Sequence, residues 1–530
     1  MTHPVEGARL LAAAGRHDDA IVLLRQHLAA NPAAADAAVA LAYFLLERRR
    51  PLEAIEAVEG LAARPDANLE TLTAYGAALA ANGRSDEAIA VYSRGTRMAP
   101  KSGVAEHNLA ANLGDAHRFA ESEQAARRAM AKGLNALETW LVYARALQGG
   151  GAYDEAEVAL RRIINRKPTA VEAHGDLAQL IWMRTEDVDR ATAALDAALT
   201  VNARDVGLTR VKATFLESIG KREEAYAALE ESLAGRPFDP QLDVDAARLI
   251  GWTDGDRALM HAERAALAAP GRGDVRTALC LANLAAGRPD AAAQIADGLR
   301  RDWPEDQYPV ALSATAWRLL GDARYDALYD YQRLVVSGPI DTPAGWSSLT
   351  AYLDDLKTSL ATLRRLRGHP IGQSLRQGAQ TEQTLTLSKD PVIRAFFEAV
   401  DGSIRRYIDQ ARPGEGGFGR SKGAIAGYKV GGAWSAALRP GGFHINHLHP
   451  RGWISSACHI DLPDAVDQGR EGWLAFGEPG VATLPRLPAE HFIKPKVGHL
   501  VLFPSYMWHG TVPFAGEQNR VSVAFDAVPV

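Results

Sequence analysis

Signals that end helices recur along the first three hundred residues at an almost constant interval. They fall at Pro32, Pro65, Pro100, Gly133, Pro168, Asn202, Pro237, Pro270 and Pro304, with steps of 33, 35, 33, 35, 34, 35, 33 and 34 residues. A fixed period of this size excludes a single ordinary core and demands a stack of small repeated units, each leaning on its neighbours. Between the signals the chain is rich in Ala, Leu, Glu and Arg, which are strong helix formers. A phrase also returns: Gly15-Arg16-His17-Asp18-Asp19-Ala20, Gly83-Arg84-Ser85-Asp86-Glu87-Ala88, Gly151-Ala152-Tyr153-Asp154-Glu155-Ala156 and Gly220-Lys221-Arg222-Glu223-Glu224-Ala225. The glycine suits a turn that needs positive φ. The alanine lets a second helix come close to the first. Leu24, Tyr92, Leu160 or Leu229, four residues on, fills the space between them.

These phrases resemble the tetratricopeptide repeat. The resemblance spans roughly residues 5–337, with about nine units and a divergent tenth at Tyr308–Ser337. It implies an α-solenoid whose concave face commonly holds an extended peptide, so the expected partner is a protein or peptide. Pure spacing or oligomerisation is the plainer alternative. No stripe of Asn or Lys marks one face, so the charge of a ligand is not legible.

The 530 residues are 47% hydrophobic and 23% charged, and the formal charge of −5 speaks against a nucleic-acid partner. There is no apolar run of membrane-spanning length, and Met1–Glu6 does not open a signal peptide, so no membrane role is expected. Cys280 and Cys458 lie in different regions, which fits a reducing cytoplasm.

After Ser337-Gly338-Pro339 the repeat stops. Residues 338–411 read as a helical join, with amphipathic helices at Ser347–Arg367 and Pro391–Gln410 that could back a sheet. Between them, the polar stretch Gln373–Thr381 is either a solvated loop or a loop folded over a site downstream.

From Arg412 glycine rises and alanine falls. Short β-like runs follow at Ala424–Val430, Ala433–Leu438, His444–His449, Ile454–Leu462, Gly472–Phe476, Leu500–Phe503 and Arg520–Val528, which suggests a sandwich or barrel over 412–530. In a strand, residues i and i+2 share a face, so His447 and His449 form a ready chelate while His444 should point away. His509 follows an apolar run and can approach from a neighbouring strand. Three neutral imidazoles with open positions suit Fe(II), Mn, Ni, Cu or Zn. Arg520 and Ser522 share a face and offer a guanidinium fork with a hydroxyl, good chemistry for a carboxylate. A surface arginine pairing with Glu517 is the plainer reading. Trp434, Trp453, Trp473 and Trp508 flank these runs and read as core rather than as a substrate cage.

This constellation resembles the 2-oxoglutarate- and Fe(II)-dependent oxygenases, prolyl-hydroxylase-like, with a bacterial and phage subgroup nearest in pattern. The resemblance implies a double-stranded β-helix (jelly roll), with Fe(II), 2-oxoglutarate and O2 as cofactor and co-substrates. It places His447 and His509 at the two histidine positions of the metal site and Arg520 with Ser522 at the 2-oxoglutarate clamp. His459 falls where many members carry a tyrosine bonded to 2-oxoglutarate, and Gln373–Thr381 is similar to an upstream segment of the subgroup. His449 stands where the family has a carboxylate. Three arrangements stay open: His449 as third ligand, two histidines with water, or a carboxylate such as Asp461 reaching in. The activity implied is a dioxygenase that hydroxylates a protein or peptide delivered by the array. A cupin would share the histidine pattern, but its glutamate is absent from Pro450–Ile454 and it gives Arg520 no role. An adaptor with a degenerate β domain is the non-enzymatic alternative.

Overall fold

The computed structural model describes residues 3–234, 239–411 and 427–530. The helix-ending signal Pro237 and residues 424–426 of one expected β run lie outside them. Nineteen helices run from Pro4 to Leu320 among the described residues, mostly ten to fifteen residues long. Why they pair is visible at the recurring phrase. Gly15, Gly83, Gly151 and Gly220 each turn the chain with φ between +77° and +89°. Ala20, Ala88, Ala156 and Ala225 are fully buried, and Leu24, Tyr92, Leu160 and Leu229 are buried beside them. In intervening units the same left-handed turn is made by Arg49, His117 and Glu186.

The chain forms two compact units, Met1–Ala173 and His174–Val530. The second unit therefore holds later helices of the array together with the β region. Backbone and side chains tie them: Arg367 and Gly368 both donate to the Met183 carbonyl at 2.8 Å, Gln307 N–H donates to Pro450 O at 2.9 Å, and Glu186 is ion-paired to Arg439 and Arg367. His369 is buried against Ser218, its Nε2 3.0 Å from the Ser218 carbonyl.

Among the described residues, nine strands form two antiparallel sheets. They are β1 (Val336–Pro339), β2 (Leu375–Gln380), β3 (Tyr428–His444), β4 (Ile454–Asp461), β5 (Leu474–Phe476), β6 (His491–Ile493), β7 (His499–Pro504), β8 (His509–Thr511) and β9 (Arg520–Pro529). The larger sheet has the order β1-β7-β4-β9-β3-β2 and the smaller β6-β5-β8. Their shared core contains Phe476, Phe503 and Phe525. The helices Leu349–Leu363 and Pro391–Ala411 bury Leu353, Leu356, Leu360, Phe396, Val400 and Ile404 in the same core.

Three expectations need correction. Gln373–Thr381 is not a loop, because its centre is the edge strand β2 paired with β3. The two short runs expected between 424 and 438 belong to one long strand, β3, bulged where Val430 and Gly432 pair with consecutive residues of β9. The run His444–His449 is not a strand, since β3 ends at His444 and only an isolated bridge joins His447 to His509. A long strand kinked at glycine-rich points reads locally as several short ones.

Candidate metal and anion site

The bridge between His447 and His509 sets the site. Each donates its backbone N–H to the other's carbonyl, at 2.9 and 3.0 Å, and His449 N–H donates to Ser505 O at 3.0 Å. Three imidazoles are thereby drawn together, and their nearest donor atoms all lie within 4.8 Å of one another. Gly510 permits the close approach: a Cβ there would sit 2.5 Å from Asn446 Oδ1.

The ring tautomers follow from the partners. His447 Nδ1 lies 2.8 Å from Ile445 O, His509 Nδ1 lies 2.9 Å from Met507 O, and His449 Nδ1 lies 2.7 Å from Asp526 Oδ2. Carbonyls and carboxylates only accept, so each Nδ1 carries the proton and each Nε2 keeps a free lone pair. His447 Nε2 and His449 Nε2 face each other at 3.3 Å. Two lone pairs at that distance repel, and a shared cation removes the repulsion. Burial holds the His447, His509 and His444 rings neutral, the form that ligates: His447 is pushed down to about 3, and His509 and His444 well below the usual histidine range. The donor set therefore fits a divalent transition metal with open positions.

Asp526 was not foreseen. Along β9, Arg520, Ser522, Ala524 and Asp526 alternate onto one face, and all four border the clefts at this site. Besides the His449 ring, Asp526 accepts from Ser455 Oγ at 2.7 Å, and Ser455 Oγ lies 2.9 Å from Ser505 Oγ. A carboxylate thus sits one hydrogen bond behind His449. The i, i+2 rule applied from Arg520 would have found it. Asp461, considered as an alternative ligand, pairs instead with Lys357 and is not part of the cluster.

Arg520 lines the same small cavity as the three histidines and Ser522. It is only 1% exposed, so it is not a surface arginine paired with Glu517. Its Nη2 donates to His459 Nδ1 at 3.3 Å, while its Nε has no hydrogen-bond partner and no carboxylate pairs with it among the described residues. Burial lowers its pKa to about 10. An unpaired buried guanidinium is costly, and an anion entering the cavity would relieve that cost. His459 is fully buried against Arg520, opposite Ser522 in the β4–β9 register, and does not border the cavity.

Two residues lie closer to the site than expected. His444 lines the cavity, its ring centroid 6.0 Å from that of His447 and its Nδ1 3.0 Å from Ser374 Oγ. The parity rule failed because the strand ends at His444. Trp434 stacks on His449 at 5.6 Å between centroids and 14° between planes, so it is not simply core. Trp453 and Trp508 are buried in the core, as expected.

Residues 432–526 match a family model described as "Putative 2OG-Fe(II) oxygenase". That span contains all three histidines, Arg520, Ser522 and Asp526. No curated protein matches the chain. Among solved structures, similarity is found to a tetratricopeptide repeat protein from Parabacteroides merdae, 14% identical, with TM-score 0.33, covering 53% of this chain and 97% of that one. The type IV pilus biogenesis factor PilW is 16% identical, with TM-score 0.31, covering 37% and 91%. The Cut9–Hcn1 hetero-tetramer of the APC/C is 14% identical, with TM-score 0.29, covering 57% and 59%. No helix among the described residues is long and apolar enough to cross a membrane.

Proposed function

We propose that the chain is a 2-oxoglutarate- and Fe(II)-dependent dioxygenase that hydroxylates a side chain of a protein or peptide. In this reading residues 1–337 are a tetratricopeptide array that brings the substrate, 338–411 a helical join, and 412–530 an oxygenase core built as a double-stranded β-helix. His447, His449 and His509 hold the metal through Nε2. Arg520 and Ser522 hold the distal carboxylate of 2-oxoglutarate. The free, buried thiols of Cys280 and Cys458 accord with a cytoplasmic setting.

One observation carries the reading: an arginine with no acid partner among the described residues shares a small cavity with three imidazole lone pairs. Bound Fe(II), with 2-oxoglutarate and O2, supplies the oxidising power that no side chain has. The chain does the rest. Ile445 O, Met507 O and Asp526 fix the ring tautomers. His459 accepts from Arg520 and orients its fork, and Trp434 shields the outer face of His449 from water.

The test is turnover of 2-oxoglutarate to succinate by purified, iron-loaded protein without added substrate. Slow consumption, lost in His509→Ala and Arg520→Ala, is expected. Tight zinc or manganese without 2-oxoglutarate binding would instead indicate a cupin-type metalloprotein. Absence of bound metal after reconstitution would leave an adaptor.

A further inference from the structure

A second cleft, of about 890 Å³, opens beside the triad, and His447, His449 and Trp434 form part of its wall. Facing them are the repeat helices Val206–Ser218 and Pro240–Ile250, together with Arg222 at the start of the helix Arg222–Ala234. The cleft therefore links the array to the candidate metal site within one compact unit.

Its charge is one-sided. The wall carries Arg222, Arg248, Arg376 and Arg451 against Glu217 and Asp526. Both carboxylates are already engaged, Glu217 by Arg248 and Asp526 by His449. Arg222, Arg376 and Arg451 are left without a carboxylate partner among the described residues. Arg222 lies over the Trp252 ring at 4.6 Å, with its Nε buried and unpartnered. Arg376 donates to the backbone carbonyls of Gln373 and Leu375, at 2.6 and 2.8 Å. Burial lowers the pKa of both guanidiniums, which marks the charges as poorly solvated. The same wall carries apolar Ile445, Leu448 and Val528 and the polar side chains of Thr214, Gln373 and Gln380.

We propose that this cleft takes an extended acidic polypeptide segment, whose Asp or Glu side chains pair with Arg222, Arg376 and Arg451 while a neighbouring residue enters toward the triad. A wall that carries guanidinium, polar and apolar side chains together suits a peptide, with charged and apolar side chains on one strand. It suits a nucleic acid poorly, since that needs a continuous cationic track and the whole chain carries a formal charge of −5. The substrate class rests on the hydroxylase reading, but binding can be measured without it.

The test is fluorescence anisotropy on the full-length, metal-free protein with labelled peptides of equal length: Glu/Asp-rich, Ser/Gly-rich and Lys-rich. An oligodeoxythymidine is the fourth probe. The acidic peptide should bind at least about tenfold tighter than the others, and added salt should weaken it. Arg376→Glu and the exposed Arg451→Glu should each weaken it by about tenfold. Arg486→Glu, a surface reversal outside the cleft whose side chain is 82% exposed, should not. Equal binding of the neutral peptide, stronger binding of the oligonucleotide, or indifference to the cleft reversals would overturn the inference. Separate 2-oxoglutarate assays on the same preparation keep the two readings apart. Turnover without acidic-peptide preference sinks only the cleft. Acidic-peptide binding without turnover sinks only the enzyme.

Discussion

Arg118 and Arg520 show what separates the helical array from the β region. Arg118, at the start of an array helix, is exposed and grips Glu121 with two hydrogen bonds of 2.7 Å. Arg520 is buried and has no acid at all among the described residues. Arg16, Arg50 and Arg84 likewise meet an acid three positions on, in the same kind of local pair. The β region leaves a cation and three imidazole lone pairs converging on a cavity. Folding tolerates such a concentration of unmet valence only where core packing, here Phe476, Phe503 and Phe525, over-determines the backbone. A charge met by its neighbour needs nothing further, whereas a buried charge left unmet leaves room for a ligand.

The sharpest way to break this contrast is to remove a ligand atom. His509→Ala should abolish stoichiometric metal binding, read by metal analysis after dialysis, because two imidazoles do not make a closed site. Retention of one tightly held ion would show that His509 is structural. Next comes the cation. Arg520→Met should weaken 2-oxoglutarate binding by on the order of 100-fold or more, by calorimetry. The same variant should raise the melting temperature of the ligand-free protein, because it deletes an unpaired buried charge. A ligand-free protein that melts lower would mean that Arg520 has a partner already. Asp526→Asn is smaller in effect. It keeps the shape but loses the charge behind His449, and metal affinity should fall by about 10- to 100-fold in competition with a chelator.

Acid should expose the same difference. A free imidazole titrates near about 6.5, and the folded state holds His447 down to about 3. The unfolded chain therefore binds more protons between these values. This part of the stability is full above about pH 6.5 and is lost as pH falls toward about 3. His444, His459 and His509 shift in the same direction, through burial. The metal-free protein should melt several degrees lower at about pH 5 than at about pH 7, and saturating metal should raise both melting temperatures without removing that slope. A melting temperature independent of pH would show that the rings stand in water.

Much of this was legible because local rules acted alone. The glycines and alanines of the repeat phrase fix the helix turns through φ and side-chain volume, and both are written in single residues. His447, His449 and Arg520 stood out by type and spacing. Asp526 did not, and Trp434 read as core, since an aspartate late in a strand and a tryptophan in a β run are ordinary until the sheet closes. His444 was misread because parity holds only while a strand continues, and β3 stops there. The strand β2 was missed because its pairing with β3 lies more than fifty residues away in sequence, beyond any local signal. The cleft beside the triad depends on which repeat helices meet the β region, and no periodicity encodes that.

The least effect should come from the array's own charges. Arg118→Ala removes both hydrogen bonds to Glu121, yet both side chains are about half exposed, with 41% and 54% of their surface in solvent. Water reaches both side chains, so the expected loss is below about 0.5 kcal/mol. The neighbouring turn should survive as well, because His117 already holds its positive φ without help from the pair. Chemical denaturation of the single variant measures this directly. A loss several times larger would mean that the exposed pair clamps the turn between two repeats. The array would then store its stability in polar contacts, and the contrast between Arg118 and Arg520 would be one of degree.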